Sequence, residues 1–319
     1  MSVSTTIHLS EFALAVAKGL GDPTQKKIPP RYFYDDLGSA LFEAITLLAE
    51  YGLTRADERV LRRFAAELPA LGTHVSSVAE LGSGSGRKTE MILRALADMN
   101  PQLTYRPIDV SQAALNICQS ELSGICRIEP VCADWSDGLK YVSQHREVNS
   151  PLLLLFLGSS IGNIDREEID EFLTGLRSSL RSGDLMLIGA DLVKDRELML
   201  AAYDDPTGVT AAFNLNLLGR MNRELDAQFD LRSFAHEVRW NQDARRIEMH
   251  LLSCRQQTVP VGALDASFEF QAGETIWTES SHKFTIEEFE DFAHASGFTQ
   301  LANWVDDAWP FAEVLWEAG

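Results

Sequence analysis

A chain of 319 residues, 45% hydrophobic and 24% charged, has a globular composition and is long enough for one large domain or two modest ones with a sizeable core. Its formal net charge of -19 and pI near 4.7 leave no basic footprint, which excludes sequence-independent binding to nucleic-acid backbones or anionic membranes and points to small-molecule partners. The four cysteines, Cys118, Cys126, Cys132 and Cys254, form no CxxC pair and show no ligand-like spacing with the seven histidines, so they read as reduced thiols, with neither a metal site nor a disulfide framework expected.

The N-terminal stretch MSVSTTIHLSEFALAVAKGL has no basic region ahead of a long apolar run, and no stretch reaches membrane-spanning length, so a cytoplasmic protein without a membrane partner is expected. Residues 57–71, DERVLRRFAAELPAL, carry apolar residues at helical spacing, and VAEL after them reads as a buried strand ending at Gly82. RKTEMILRALADM predicts a helix, TYRPIDVS a second strand, SQAALNICQSEL a helix with Ser111 as N-cap, and CRIEPVCADW a third strand. PLLLLFLG (151–158) is a fully apolar strand, DREEIDEFLTGLRSSL an amphipathic helix, and SGDLMLIGAD another buried strand. Uninterrupted apolar strands alternating with helices predict an α/β protein with a doubly wound parallel sheet.

After Asp191 the pattern changes. Residues 196–232 read as mainly helical, and two following stretches alternate like exposed antiparallel strands, with turns at Asn241-Gln242-Asp243 and Ala272-Gly273. Thr285 and Glu288 then form a capping-box pattern for a helix closed by Gly297, and TQLANWVDD and FAEVLWEA complete the core as strands. The expected division is a core of residues 57–195 and 285–319, with 1–56 and 196–284 forming a second, α+β substrate-binding lobe.

Ligands of an open parallel sheet bind at the carboxyl ends of its strands, where Gly82, Gly84 and Gly86 fall. Their G-x-G-x-G spacing differs from the G-x-G-x-x-G of dinucleotide sites, which makes a nicotinamide dehydrogenase the weakest reading, and the preceding acid, Glu80, suits a cationic ligand better than a pyrophosphate. S-adenosylmethionine, with a sulfonium, an ammonium and no phosphate, is the expected ligand. Asp109, ending the second strand, is placed to accept bonds from ribose hydroxyls; Asp134 and Trp135, ending the third, are placed for an adenine edge and face. Lys88 reads equally as a solvated charge or as a partner of the cofactor carboxylate. Singly, each signal has a plainer reading, a tight turn or a helix cap; their order and spacing together favour a nucleoside site.

The stretches PPRYFYDDLGSALFEAI, EYGLTR, ELGSGSGRKT, FLGSSIGN, DLVKD, AYDDPTGVTAAFN, RIEMHL and TESSHKF resemble the histidine-specific, S-adenosylmethionine-dependent methyltransferases that make hercynine on the way to ergothioneine, from about residue 29 onward. The resemblance implies a Rossmann-like class I methyltransferase core and Nα-trimethylation of L-histidine, a small-molecule amino-acid substrate, with no metal; a monomer is expected. It implies that Asn163 and Tyr203 bind the substrate carboxylate, that Gly158 and Ser160 line the amine end, that Tyr34 and Tyr51 lie at the amine and ring, with Tyr34 the catalytic candidate near a proton path, and that Met249, Glu279 and Ser281 form the imidazole pocket. Without it, Tyr203 reads as a partly buried tyrosine, Glu279 as a solvated strand residue and Met249 as gap-filling core. The sequence departs from the family pattern at Gly52-Leu53, where an aromatic and a proline are usual; a more flexible turn beside Tyr51 is expected there. Two alternatives follow: an N-methyltransferase for another aromatic amino acid such as a tryptophan derivative, and a non-catalytic nucleoside-binding protein.

Overall fold

The strand Leu152–Phe156 is LLLLF with every side chain buried, a pattern satisfied only inside a sheet covered on both faces. In the structure, a computed structural model describing residues 10–71, 75–147 and 151–319, that strand lies near the middle of an eight-stranded sheet. Residues 1–9, the head of the N-terminal stretch discussed above, lie outside the described residues.

The chain divides into two compact units, one of Met1–Tyr51 with Asp195–Ser281, the other of Gly52–Lys194 with His282–Gly319. The second unit holds the large sheet. Leu152–Phe156 pairs in parallel with Ser77–Leu81 on one side and Leu185–Asp191 on the other. Beyond Ser77–Leu81 comes Thr104–Asp109, then Arg127–Ile128 and Val131–Cys132. Beyond Leu185–Asp191 comes Phe311–Ala318, antiparallel, with Phe298–Val305 at the edge. This is the expected doubly wound α/β sheet, with one antiparallel strand in an otherwise parallel order.

Alternation along the strands builds two cores. Ala79, Leu81, Leu152, Leu154, Phe156, Met186 and Ile188 face one way and pack with Ile169, Leu173 and Leu176 of the helix Arg166–Ser178 and Phe289 of the helix Ile286–Ser296. Val78, Leu153, Leu155 and Leu187 face the other and meet Val60, Leu61 and Phe64 of the helix Gly52–Glu67 and Ile92, Leu93 and Leu96 of the helix Glu90–Met99. Each of the larger side chains contributes roughly 1.5–3 kcal/mol by leaving water. At the amino ends of the strands, the buried Asp184 accepts from Arg146 through both oxygens and from the Leu152 and Arg181 amides, tying two strand starts together.

The third strand differs from the continuous element expected. It is two two-residue pieces separated at Glu129 and Pro130, because Pro130 has no N–H to donate to the neighbouring strand. The interruption lies opposite Arg106 and Pro107, between the paired positions Tyr105↔Ile128 and Ile108↔Val131.

In the other unit, Lys26–Lys27, Thr275–His282, Arg246–Ser253 and Phe234–Asn241 form a four-stranded sheet in that order, accompanied by the helices Arg196–Tyr203 and Val209–Leu225. One expectation is corrected here. Arg246–Ser253 is not an exposed strand: Ile247 through Leu251 are buried, because those two helices cover it. The turn at Ala272-Gly273 is present, and the strand before it, Ala266–Phe270, pairs with Gln257–Val261 rather than with the strand after it. All four cysteines are free, and among the described residues no helix is long and apolar enough to cross a membrane.

Gly52-Leu53 is not a flexible turn either. Both residues are buried in the first turn of the helix Gly52–Glu67, and a Cβ on Gly52 would lie 2.2 Å from Trp309 Cε3. The indole cannot easily yield, because its Nε1 donates to Asp191 Oδ1 at 2.9 Å. Glycine is there for close approach. Gly52→Ala should therefore cost about 1–3 kcal/mol, read as a lowered denaturation midpoint in urea; an unchanged midpoint would mean that Trp309 moves aside at no cost.

Candidate active site

The glycine loop leaves Ser77–Leu81 at the place where sheet order reverses between that strand and Leu152–Phe156. Gly82, Gly84 and Gly86 all have positive φ, of 68°, 53° and 70°, conformations that other residues adopt only with strain. Beyond that they differ. A Cβ on Gly86 would lie 2.7 Å from both Cys118 Sγ and Leu122 Cδ1, so this glycine lets the loop press on the helix Gln112–Leu122. A Cβ on Gly82 would meet Trp135 Nε1 at 3.3 Å, whereas one on Gly84 would meet nothing within 4 Å. Gly84 is the glycine that faces open space.

Hydrogen bonds fix the loop. The Gly82 and Ser83 amides both donate to the Ile108 carbonyl, at 2.8 and 3.2 Å, and the Gly84 amide donates to Asp109 Oδ2 at 2.9 Å. Asp109 also accepts the Ser111 amide on Oδ1. Asp134, exposed, is the N-cap of the helix Trp135–His145 and accepts the Asp137 amide at 2.9 Å. The half-buried Trp135 packs edge-on against Phe156 and Phe172, with centroids 5.0 and 5.8 Å away. Both aspartates thus hold backbone amides, while each carboxylate keeps lone pairs for further donors.

Glu80 does not face a ligand as the sequence reading had it. It is buried beneath the loop and accepts from Thr89 Oγ1 at 2.6 Å and from the Tyr105 hydroxyl, and burial pushes its carboxyl up to about 7 against those bonds. Lys88 is neither a solvated charge nor unpaired. Its ammonium donates to the fully buried Asp57 at 2.6 Å; burial pushes its pKa down, but the Asp57 charge outweighs this and holds it above the usual lysine value. A Cβ on Gly158 would lie 3.1 Å from Lys88 Nζ, so the lysine tip rests against the end of Leu152–Phe156.

That strand end turns sharply. Gly158 and Ser159 have φ of 71° and 61°, and the short 3-10 turn Ser160–Asn163 follows, with Ser160 Oγ donating to the Leu157 carbonyl and Asn163 half-buried. Gly158, Ser160 and Asn163 therefore share this unit with Gly82, Gly84, Gly86, Lys88, Asp109, Asp134 and Trp135.

The remaining candidates lie in the other unit. Tyr203 and Ser281 are buried and their hydroxyls meet at 2.7 Å. Tyr51 packs edge-on against Tyr203 at 6.1 Å, and Phe42 bridges Tyr51 to Tyr34, which is 37% exposed. Met249 is buried in Arg246–Ser253, and Glu279 is half-buried in Thr275–His282.

Sequence reasoning missed the support of this cluster. Asn214 donates to the His250 carbonyl and to His236 Nδ1, and it accepts from Thr278, whose hydroxyl also reaches the Met249 carbonyl. His236 Nε2 reaches the Tyr203 carbonyl at 2.8 Å. Since Nδ1 accepts, Nε2 carries the proton and the ring is neutral. Asn214 stood in the quoted AYDDPTGVTAAFN, but no spacing rule pairs it with a histidine on a distant strand.

Comparison with known proteins gives the family. Residues 12–318 match the family described as histidine-specific methyltransferase, SAM-dependent. The chain belongs to this family. Among its relatives, a histidine N-alpha-methyltransferase of Mycobacterium tuberculosis is 41% identical over 324 residues, covering 99% of each chain. One of Mycolicibacterium smegmatis is 41% identical over 294 residues, 91% of this chain and 90% of its own. Ergothioneine biosynthesis protein 1 of Neurospora crassa is 29% identical over 285 residues, 88% of this methyltransferase but 32% of its own length.

Two outcomes follow from the geometry. Gly86→Ala combines a positive φ with a collision, so it should lower stability by about 2–4 kcal/mol, against about 1–2 for Gly84→Ala, which suffers the φ alone; equal losses in denaturant titrations would contradict the packing role. Burial lowers the pKa of both His236 and His250, and neither the Tyr203 carbonyl beside His236 nor Glu248 beside His250 reverses this. A histidine with a depressed folded pKa binds its proton more readily when unfolded, so stability is lost as pH falls below the ordinary value of about 6.5. The melting-temperature advantage of wild type over His236→Gln should therefore shrink between about pH 7.5 and 5.5; a constant difference across that range would contradict the depressed value.

Proposed function

We propose that this methyltransferase transfers methyl groups from S-adenosylmethionine to the α-amine of L-histidine three times, giving hercynine. The observation that carries the reading is the match to a histidine N-alpha-methyltransferase over 99% of both chains.

The residues at the strand ends suit the cofactor. Gly84 leaves room beside the loop, the carboxylates of Asp109 and Asp134 can accept ribose and adenine donors, and Trp135 offers an aromatic flank. Gly82 and Gly86 hold the loop in shape, and Lys88 supplies a cation suited to the amino-acid carboxylate. Bound there, S-adenosylmethionine supplies an electrophilic methyl on a sulfonium.

On the substrate side, Asn163 and Tyr203 are assigned to the carboxylate, and Gly158, Ser160 and Tyr51 to the amine and ring surroundings. The Tyr203–Ser281 bond fixes the tyrosine tip, while the Asn214 and His236 network anchors the backbone behind it. Glu279 is assigned an imidazole N–H, with Ser281 and Met249 completing the pocket. Positioning is the main source of acceleration here, since a well-oriented intramolecular reaction gains roughly 7–11 kcal/mol. The amine must be neutral to react, and Tyr34, partly exposed between Phe42 and Phe213, is the assigned path for its proton. The indole-substrate alternative comes from the family resemblance and drew its support in this sequence from Gly52-Leu53; helix formation there withdraws that support.

Mass spectrometry of purified enzyme with S-adenosylmethionine and an equimolar set of histidine, its mono- and dimethyl forms, and tryptophan should give trimethylhistidine alone; methylated tryptophan with histidine untouched would overturn the specificity. Glu279→Ala should lower kcat/KM for histidine by about 10²-fold or more, because the imidazole edge is left unpaired. Near-native turnover would refute its assignment.

A further inference from the structure

Beneath the glycine loop, Lys88 is joined by three acids to which the reaction as described gives no role: Asp57 from the helix Gly52–Glu67, Glu80 from the strand Ser77–Leu81 and Glu313 from Phe311–Ala318. Asp57 and Glu313 are fully buried. Asp57 gives one oxygen, Oδ2, to Lys88, while Oδ1 and both oxygens of Glu313 have no hydrogen-bond partner among the described residues. Room for the Glu313 carboxyl is made by Gly189, its direct partner on the adjacent strand, where a Cβ would stand 2.5 Å from Glu313 Oε1.

Three acceptor atoms buried without a donor are a large cost if both carboxyls are ionised. One proton removes it. We infer that Glu313 is protonated and donates to Asp57 Oδ1, so that the pair shares a single negative charge and turns Asp57 Oδ2 toward Lys88, making Glu313 a positioning residue for the Lys88 ammonium at Gly158. Two buried acids in contact cannot both ionise cheaply, so one carboxyl is kept neutral. Burial, and then the contact with Asp57, raise the Glu313 carboxyl well above the usual range, and the charges facing it are Asp57, Lys88 and Glu80. Lys88 then faces a counter-ion fixed in direction on an otherwise charge-balanced base. Its ammonium stays beside the end of Leu152–Phe156, where the amino-acid carboxylate of the cofactor is proposed to lie.

The inference rests on the cofactor-site reading above, and the test separates the two. S-adenosylhomocysteine is titrated calorimetrically into wild type, Glu313→Gln, Glu313→Ala, Lys88→Met and the double variant Glu313→Ala with Lys88→Met, with melting temperatures recorded alongside. Glutamine keeps an N–H donor for Asp57 Oδ1, so E313Q should stay within about threefold of wild type while E313A weakens binding by about tenfold or more. Because Glu313 acts through Lys88, the double variant should bind no more weakly than Lys88→Met alone. Equal losses in E313Q and E313A, or additive losses in the double variant, would overturn the positioning role. Infrared difference spectra of the ligand-free proteins, wild type minus E313Q, should show the C=O stretch of a protonated carboxylic acid. Absence of that band overturns the shared proton; its presence with wild type unable to bind S-adenosylhomocysteine would keep the proton and overturn the link to the cofactor.

Discussion

The carbonyl of Ile108 accepts both the Gly82 and the Ser83 amides, and the ligand end of the sheet depends on that shared acceptor. It ties the exit of the first sheet strand to the exit of the second, forces the chain into a left-handed turn, and brings the Gly84 amide to Asp109. One aspartate consequently serves two purposes, closing the loop and presenting a carboxylate at the strand end. Glycines are required because three positive φ values fall within five residues, and a side chain at Gly86 would push the loop off the helix that supports it.

Below the loop the constraint is charge. Asp57, Glu80 and Glu313 come from three separate segments and disfavour one another's charge, and the half-buried Lys88 is the cation that offsets them. A comparable economy recurs around Asp191, which accepts from Lys194, Lys283 and the Trp309 indole, all of them largely buried. At the opposite end of the strands, Asp184 binds Arg146 and two backbone amides. Buried aspartates with several donors pin segments distant in sequence, while the surface carries the excess negative charge.

Much of the fold was legible in the sequence, for reasons that particular residues make plain. Leu152–Phe156 had no polar residue and Val78–Leu81 only Glu80, and their alternation with amphipathic helices left a covered sheet as the only economical arrangement. Gly297 closed its helix in the left-handed conformation its position suggested. The break at Pro130 was visible as a missing N–H but was outweighed by the apolar residues around it. Arg246–Ser253 misled because its charged residues, Arg246, Glu248 and His250, looked solvent-facing, whereas Glu248 binds Arg246 and Asn241 and reaches His250. Of the candidate site, the loop position and the strand-end acids could be read in one dimension. The partners of Glu80 and Lys88 could not, because Tyr105, Asp57 and Glu313 meet them only through the sheet.

The placement of Phe311–Ala318 bears on how the chain is made. This strand is inserted between Leu185–Asp191 and Phe298–Val305, so two partners synthesised earlier wait for a third that emerges after both. Until residues 311–318 have left the ribosome, Leu185–Asp191 has an open edge, the apolar faces of Val314, Leu315 and Trp316 are missing from both cores, and Asp57 has no Glu313 beside it. Domains commonly fold as units during synthesis, but here the unit spans two distant stretches of chain with the whole of Asp195–Ser281 between them. Nascent chains of this enzyme therefore hold an incomplete, edge-exposed sheet from the emergence of Leu185–Asp191 until that of Phe311–Ala318, a vulnerability to misassociation written by strand order rather than by composition.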